Sequence, residues 1–264
     1  MPEGDTIHKI AAYLAPRLER QTVEQLTLGR RPERRFAGRR VDRVQARGKH
    51  LYIDFDNGIA VRSHLGMHGS WHSYPSLLDW QKPPHRASLV LETAGTYFVC
   101  FNAKEIELVR TPGVRSRSLT MRLGPDLAVD AVDVSRLASR ARDFVAADSL
   151  LIDVLLDQRI AAGIGNVYKS ELMFLERFAP LTVLGSVTDA DLTGLYHRAA
   201  DLLQRNLGGG KRVTRFEGDG AGRLWVYGRS GKTCLRCDAG IITYQRLGVH
   251  HRGTYWCPNC QPNN

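Results

Sequence analysis

CLRCDAGIITYQRLGVHHRGTYWCPNC, residues 234–260, sets two C-x2-C pairs nineteen residues apart: Cys234 and Cys237, then Cys257 and Cys260. This is zinc-ribbon spacing. Each pair places two thiolates on a tight turn, and two such turns facing each other make a closed tetrahedral S4 site. A closed site is structural, because no coordination position remains for water or substrate. A redox C-x-x-C needs one pair, not two at this distance. One structural Zn2+ is therefore expected. The fifth cysteine, Cys100, lies in a strand-like run and reads as a small buried hydrophobe. Between the pairs, Ile241–Tyr244 and Gly253–Trp256 alternate as a β-hairpin does, and Arg246, His250, His251 and Arg252 flank its turn. That basic tip suits phosphate or groove contact, and equally suits an ordinary charged turn. Taken alone, the module fits a transcription factor or a ribosomal protein as well as an enzyme.

Upstream of the cysteines the character is helical. Val134–Phe144, Leu150–Asp157, Val167–Phe178 and Ala190–Asn206 each carry an amphipathic pattern. Gly208–Gly210 ends the last of them, and the polar, glycine-rich stretch to Arg223 reads as a mobile loop. From about residue 22 to 110 the period is two. Val41–Val44, Leu51–Phe55, Ile59–Val61, Ser88–Glu92 and Tyr97–Phe101 read as strands, with turns at Asn57-Gly58 and Ala94-Gly95. Ahead of them Ile7, Ile10, Ala11, Leu14 and Leu18 have helical spacing, with Asp5 or Thr6 as N-cap and a break expected before Pro16.

Lys+Arg 37 against Asp+Glu 27 leaves a formal net charge of +10, which favours a polyanionic partner through counterion release. Arg30, Arg31, Arg34, Arg35, Arg39, Arg40, Arg43, Arg47 and Lys49 concentrate that charge, opposed only by Glu33 and Asp42. The cluster is either a phosphate-facing stripe or a solvated face. No signal-peptide pattern opens the chain and no run of about 18 apolar residues occurs, so neither export nor a membrane partner is expected. The expected location is cytoplasmic and nucleoid-associated.

Pro2 follows the initiator Met, and Met removal would expose a secondary amine. An α-amino group titrates near ~8, so a useful neutral fraction exists at neutral pH. Attack on an aldehydic sugar carbon would give an iminium directly, with Glu3 beside it to move protons. Alone, Pro followed by Glu is weak.

The combination is specific. MPEGDTIHKI, ARGKHL, SHLGMHGSW, LLDQRIAAGIGNVYKSE, LWVYGRSGKTC and RGTYWCPNCQ occur in this order over nearly the whole chain. The sequence resembles the formamidopyrimidine-DNA glycosylase/endonuclease VIII family, and most closely its endonuclease VIII-like bacterial branch beginning MPEGDT. The resemblance implies an α+β multidomain fold: an N-terminal β-sandwich with a leading helix (1–120), a helix–two-turn–helix domain (121–223) and a zinc-ribbon hairpin (224–264). It implies that Pro2 is the Schiff-base nucleophile, Glu3 the acid/base and Lys49 a catalytic phosphate contact. Asn166 and Arg252 would grip phosphates, and Met67 would fill the gap left by an everted base. Gly163 and Gly165 permit a tight turn that aims backbone N–H groups outward at a helix start.

Two features depart from the family pattern. Asp5 and Thr6 stand where a supporting Glu is common, and FNAKEIELVR replaces the D-P-R-R-F-G loop of the 8-oxoguanine branch. The second favours oxidised pyrimidines, although HLGM itself looks like the 8-oxoguanine branch. The expectation is a bifunctional glycosylase/lyase acting by β,δ-elimination on damaged double-stranded DNA, with single-stranded or bubble DNA as further substrates and a monomer as the working form. The competing readings are a lyase-only or non-catalytic lesion binder, and a zinc-ribbon transcription regulator indifferent to Pro2.

Overall fold

The computed structural model describes residues 1–110, 123–129 and 132–262. The chain divides into two compact units, Met1–Met121 and Arg122–Asn264. The expected boundary at 120/121 lies outside the described residues.

The first unit opens with α1, Gly4–Leu18, which buries Ile7, Ala11, Leu14 and Leu18. Its N-cap is Glu3, not Asp5 or Thr6, and the Glu3 carbonyl accepts the Thr6 and Ile7 N–H groups at 3.0 and 3.1 Å. Pro16 does not break the helix. It lies in the last turn on the exposed side, one turn after the likewise exposed Ala12, where the loss of one helix hydrogen bond costs little. Among the described residues nine strands follow: β1 Gln25–Leu28, β2 Arg31–Pro32, β3 Val41–Arg47, β4 His50–Phe55, β5 Ile59–His64, β6 Ser70–Tyr74, β7 Ala87–Thr93, β8 Thr96–Phe101 and β9 Glu105–Arg110.

They form two antiparallel sheets, ordered β2-β1-β7-β8-β6 and β3-β4-β5-β9. Strand β7 alternates buried and half-buried as period two requires, and Ala94 and Gly95 both take positive φ (49° and 70°) in its hairpin to β8. Leu26, Leu89, Leu91 and Phe98 of one sheet share a core with Val41, Ile53, Phe55 and Val61 of the other and with α1. That shared core makes the unit a sandwich. Cys100 is fully buried in it, as its strand position suggested.

The second unit is helical: α2 Leu137–Phe144, α3 Leu151–Leu156, α4 Asn166–Leu175 and α5 Asp189–Arg205. A capping box between Thr188 and Asp191 starts α5. The α4 helix is not amphipathic. Every residue from Val167 to Phe174 is buried, including Lys169, Ser170 and Glu171, so α4 is the unit's central rod. The stretch after α5 is tied down rather than loose. Asn206 exchanges hydrogen bonds with Val213 in both directions at 2.7 Å, and Arg223 O accepts from Thr214 and Arg215. The unit ends in the hairpin β10 Thr243–Leu247 and β11 Arg252–Trp256; β10 lies later than the alternation alone suggested, and β11 begins one residue earlier.

Candidate functional site

In the first unit, Pro2 is half-buried and leads into Glu3, which has no exposed surface. Asp5, in the first turn of α1, is also fully buried, with Lys9 Nζ 3.7 Å from its carboxylate. The carboxylates of Glu3 and Asp5 are thus withdrawn from water together at the start of the helix. Lys49 sits at the β3–β4 turn, where Arg47 pairs with His50 and Gly48 takes φ 56° at the first turn position. Met67 is 55% exposed, not a core residue. Leu65 anchors its loop in the core at 1% exposure, Gly66 turns it at φ 62°, and Gly69 N–H closes it onto the Leu65 carbonyl.

Beside Lys49 lies a polar ladder that the sequence reading missed. The register sets His50, His64 and Glu105 in one cross-strand row and Tyr52, Arg62 and Glu107 in the next. Arg62, nearly wholly buried, donates to His50 Nδ1 at 2.7 Å and pairs with Glu105 and Glu107 at 3.1 and 2.8 Å. Burial, then the adjacent His64 and Arg62, push the His50 imidazole down to about 3. His64 is lowered too, chiefly by burial, against the raising effect of Glu105. Burial pushes the Glu105 carboxyl up, but the Arg62 hydrogen bond and the charges of His64 and Arg62 outweigh it and hold it low. His50 is therefore a neutral imidazole whose Nδ1 accepts, which leaves Nε2 as the protonated nitrogen.

In the second unit, the four cysteine sulfurs all lie within 4.8 Å of one another. Cys234 and Cys260 are 3.9 Å apart at sulfur, and Cys237 and Cys257 3.7 Å. A tetrahedral ion with metal–sulfur bonds of about 2.3 Å needs sulfurs about 3.8 Å apart, so the donor set fits a closed S4 metal. Backbone N–H groups of Arg236 and Gly240 point at Cys234 and Cys237 sulfurs at 3.4 Å. Gly240 has to be glycine: a Cβ there would stand 2.4 Å from Cys257 Sγ.

Asn166 is the first residue of α4, after the N-cap Gly165 and the positive-φ Gly163 (113°). Gln158 organises that turn, accepting from Gly163 N–H and donating to the Leu156 and Ile164 carbonyls. Asn166 Nδ2 donates to the carbonyl of Gly253 at 2.7 Å, which joins the helix start to the residue after Arg252. Arg252 itself is exposed at the first position of β11. The structure thus brings Asn166 and the Arg252 strand together. Glu171, two residues beyond Lys169, accepts from the N–H groups of Trp225, Val226 and Tyr227 at 2.8–2.9 Å and from the Thr214 hydroxyl. Lys169, Glu171 and Gln158 carried no sequence signal beyond their place inside LLDQRIAAGIGNVYKSE.

Residues 1–106 match the formamidopyrimidine-DNA glycosylase N-terminal domain and residues 123–217 the H2TH domain of the same proteins. Endonuclease 8 2 of Mycobacterium bovis is 37% identical over 99% of this chain and 100% of its own. The DNA-(apurinic or apyrimidinic site) lyase Nei2 of Mycolicibacterium smegmatis is 36% identical, covering 99% of each. Formamidopyrimidine-DNA glycosylase of Thermus thermophilus is 32% identical over 99% of this chain and 98% of its own. Among solved structures, the Lactococcus lactis glycosylase bound to DNA containing an abasic site shares the fold at a TM-score of 0.79, with 22% identity over 99% of this chain and 100% of that one. Two domain matches over most of the chain and full-length relatives agree, and the chain belongs to the formamidopyrimidine-DNA glycosylase family, on its endonuclease VIII-like side.

Proposed function

We propose that the protein is a bifunctional DNA glycosylase and abasic-site lyase of base excision repair, with Pro2 as nucleophile. The observation that carries this reading is the pair at the chain start: half-buried Pro2 joined to a Glu3 carboxylate with no exposure to water. With Met1 removed, the Pro2 amine attacks C1′ of the damaged nucleotide. The base departs, and the nitrogen becomes an iminium that draws electrons from C2′. Loss of a C2′ proton breaks the 3′ carbon–oxygen bond, and a second elimination breaks the 5′ one. Glu3 moves protons during base loss and sugar opening.

Lys49, Asn166 and Arg252 hold phosphates around the lesion, and Met67 occupies the space of the everted base. Exposure of Met67 and Arg252 supports those two assignments. The metal is a single structural Zn2+ on Cys234, Cys237, Cys257 and Cys260. Oxidised pyrimidines are the favoured lesions. FNAKEIELVR, residues 101–110, stands in place of the family's arginine-bearing loop, and its Glu105–Arg110 part is a strand paired with β5, which supports the preference. The partner is damaged double-stranded DNA, in a cytoplasmic, nucleoid-associated monomer, with the zinc-ribbon hairpin of 224–264 as a third module.

A relative named for lyase activity favours one second reading, a lyase without base excision. Borohydride trapping on an abasic duplex and on an oxidised-pyrimidine duplex separates them. Adducts on both, lost when the terminal amine is blocked or in Pro2→Gly, support the bifunctional reading. An adduct on the abasic duplex alone leaves the lyase, and none on either overturns catalysis.

A further inference from the structure

Lys169 is a lysine with no exposed surface in the second turn of α4. Burying an ammonium costs several kcal/mol unless its hydrogens find oxygen partners. Here its ammonium donates to at least three oxygens: Asn166 Oδ1 at 2.8 Å, Gly253 O at 3.0 Å and Thr254 Oγ1 at 2.8 Å. Two of these belong to β11 of the hairpin and one to the first residue of its own helix. Thr254, 1% exposed, passes the contact on, its hydroxyl donating to the Arg252 carbonyl at 3.2 Å. The Gly253 carbonyl receives Asn166 Nδ2 as well, so Asn166, Lys169 and Gly253 close a triangle of hydrogen bonds.

The amide of Asn166 is oriented by this triangle. With Lys169 donating to Oδ1, the amide oxygen faces the ammonium and the nitrogen is turned to Gly253. Below, Ser170 ties the same helix turn to the next hairpin residue, its hydroxyl donating to Asn166 O and accepting the Tyr255 N–H. Gly253 leaves room for the Tyr244 ring of the neighbouring strand, which a Cβ there would meet at 2.7 Å.

We propose that Lys169 is a positioning residue that fixes Asn166 and Arg252 relative to each other, so that the two phosphate contacts act as one preset clamp. This rests on the phosphate-binding roles proposed above. Lys169 touches no substrate. It acts by sparing the clamp the ordering cost that two independently mobile contacts incur on binding.

The test is the salt dependence of binding to an abasic-analogue duplex, because each phosphate neutralised by a Lys or Arg contributes about 0.9 to the slope of log K against log salt and a neutral amide contributes nothing. Lys169→Met keeps the stem and removes the ammonium; Thr254→Val keeps the shape and removes the hydroxyl that joins the ammonium to the Arg252 carbonyl, leaving Asn166 Oδ1 and Gly253 O on Lys169. The slope is expected to fall by up to about 0.9, the share of Arg252, in both Lys169→Met and Thr254→Val, while the displaced Asn166 in Lys169→Met weakens binding alike at every salt concentration. KM should rise at least tenfold while kcat on saturating abasic DNA changes less than threefold, and Lys169→Arg should recover part of the slope.

A role confined to stability lowers the active fraction and leaves the slope alone. A folded Lys169→Met with the wild-type slope overturns the proposal. Should Lys169→Met not fold, an unchanged slope in Thr254→Val overturns it. Wild-type protein that does not bind the duplex at all overturns the functional reading itself, a result distinguishable from either.

Discussion

Arg62 Nη1 donates to His50 Nδ1 at 2.7 Å, and a guanidinium has no lone pair to offer in return, so the imidazole is held neutral. Its value of about 3 lies below the ordinary 6.5. As pH falls, the unfolded chain takes up the proton first. Stability from this site is therefore complete above about pH 6.5 and drains away between there and about 3. The expected result is that His50→Gln flattens the pH dependence of unfolding free energy by up to about 1.4 kcal/mol per pH unit in that window. Urea titrations of both proteins from pH 7 to 4 check this, and parallel curves would refute it.

Met67 stands 55% exposed on a loop whose anchor is Leu65. Met67→Ala is expected to change stability by no more than about 0.5 kcal/mol, since little packing is lost. Excision from duplex DNA should slow about tenfold, because the everted base leaves an unfilled gap. Cleavage of a single-stranded abasic oligonucleotide, which has no stack to fill, should be unaffected. Equal slowing on both substrates counts against the plug.

Gly69 lies against backbone: a Cβ there would meet Leu65 O at 2.4 Å. Gly69→Ala is expected to destabilise the protein by about 1–3 kcal/mol, as overpacking against immovable atoms does. Gly208, with nothing within 4 Å of its added Cβ, is the matched control. Gly208→Ala should stay within about 0.5 kcal/mol of wild type. Thermal melts of the pair decide the point.

Cys257 is buried and its sulfur lies 3.7 Å from that of Cys237. Cys257→Ser should lose the metal, since a serine hydroxyl is a poor replacement for a thiolate in an S4 site. Bound zinc should fall from one per chain to a small fraction, and affinity for abasic DNA by at least about tenfold as β10 and β11 lose their hold. Metal analysis with a filter-binding titration reads both, and retained affinity without metal would separate the hairpin from DNA binding.

What could be read from the sequence follows from how locally each feature is encoded. The cysteine pairs are short-range geometry, and their spacing is enough to gather four sulfurs. The sandwich strands β7 and β8 announce themselves by alternation and a tight turn. By contrast β9 alternates only over Glu105–Leu108, and what holds Glu105 and Glu107 in place is Arg62, a long-range partner across the sheet. The α4 helix looks amphipathic because Lys169 and Glu171 sit in it, yet both are buried and satisfied by segments about 40 to 85 residues away. The early end expected for α1 failed because Pro16 falls in the last turn on the exposed side of the helix. Charge type predicts exposure only until a distant partner is known.

The Glu171 carboxylate takes three successive backbone N–H groups, from Trp225 to Tyr227, on its two oxygens. Three consecutive amides aimed at one anion form an open strand of donors that only a partner from outside the segment can satisfy. A peptide cut at residue 224 would keep all its metal ligands and lose that partner. The portable unit for grafting or truncation is thus the hairpin together with α4, whatever the apparent break in sequence character at 224 suggests.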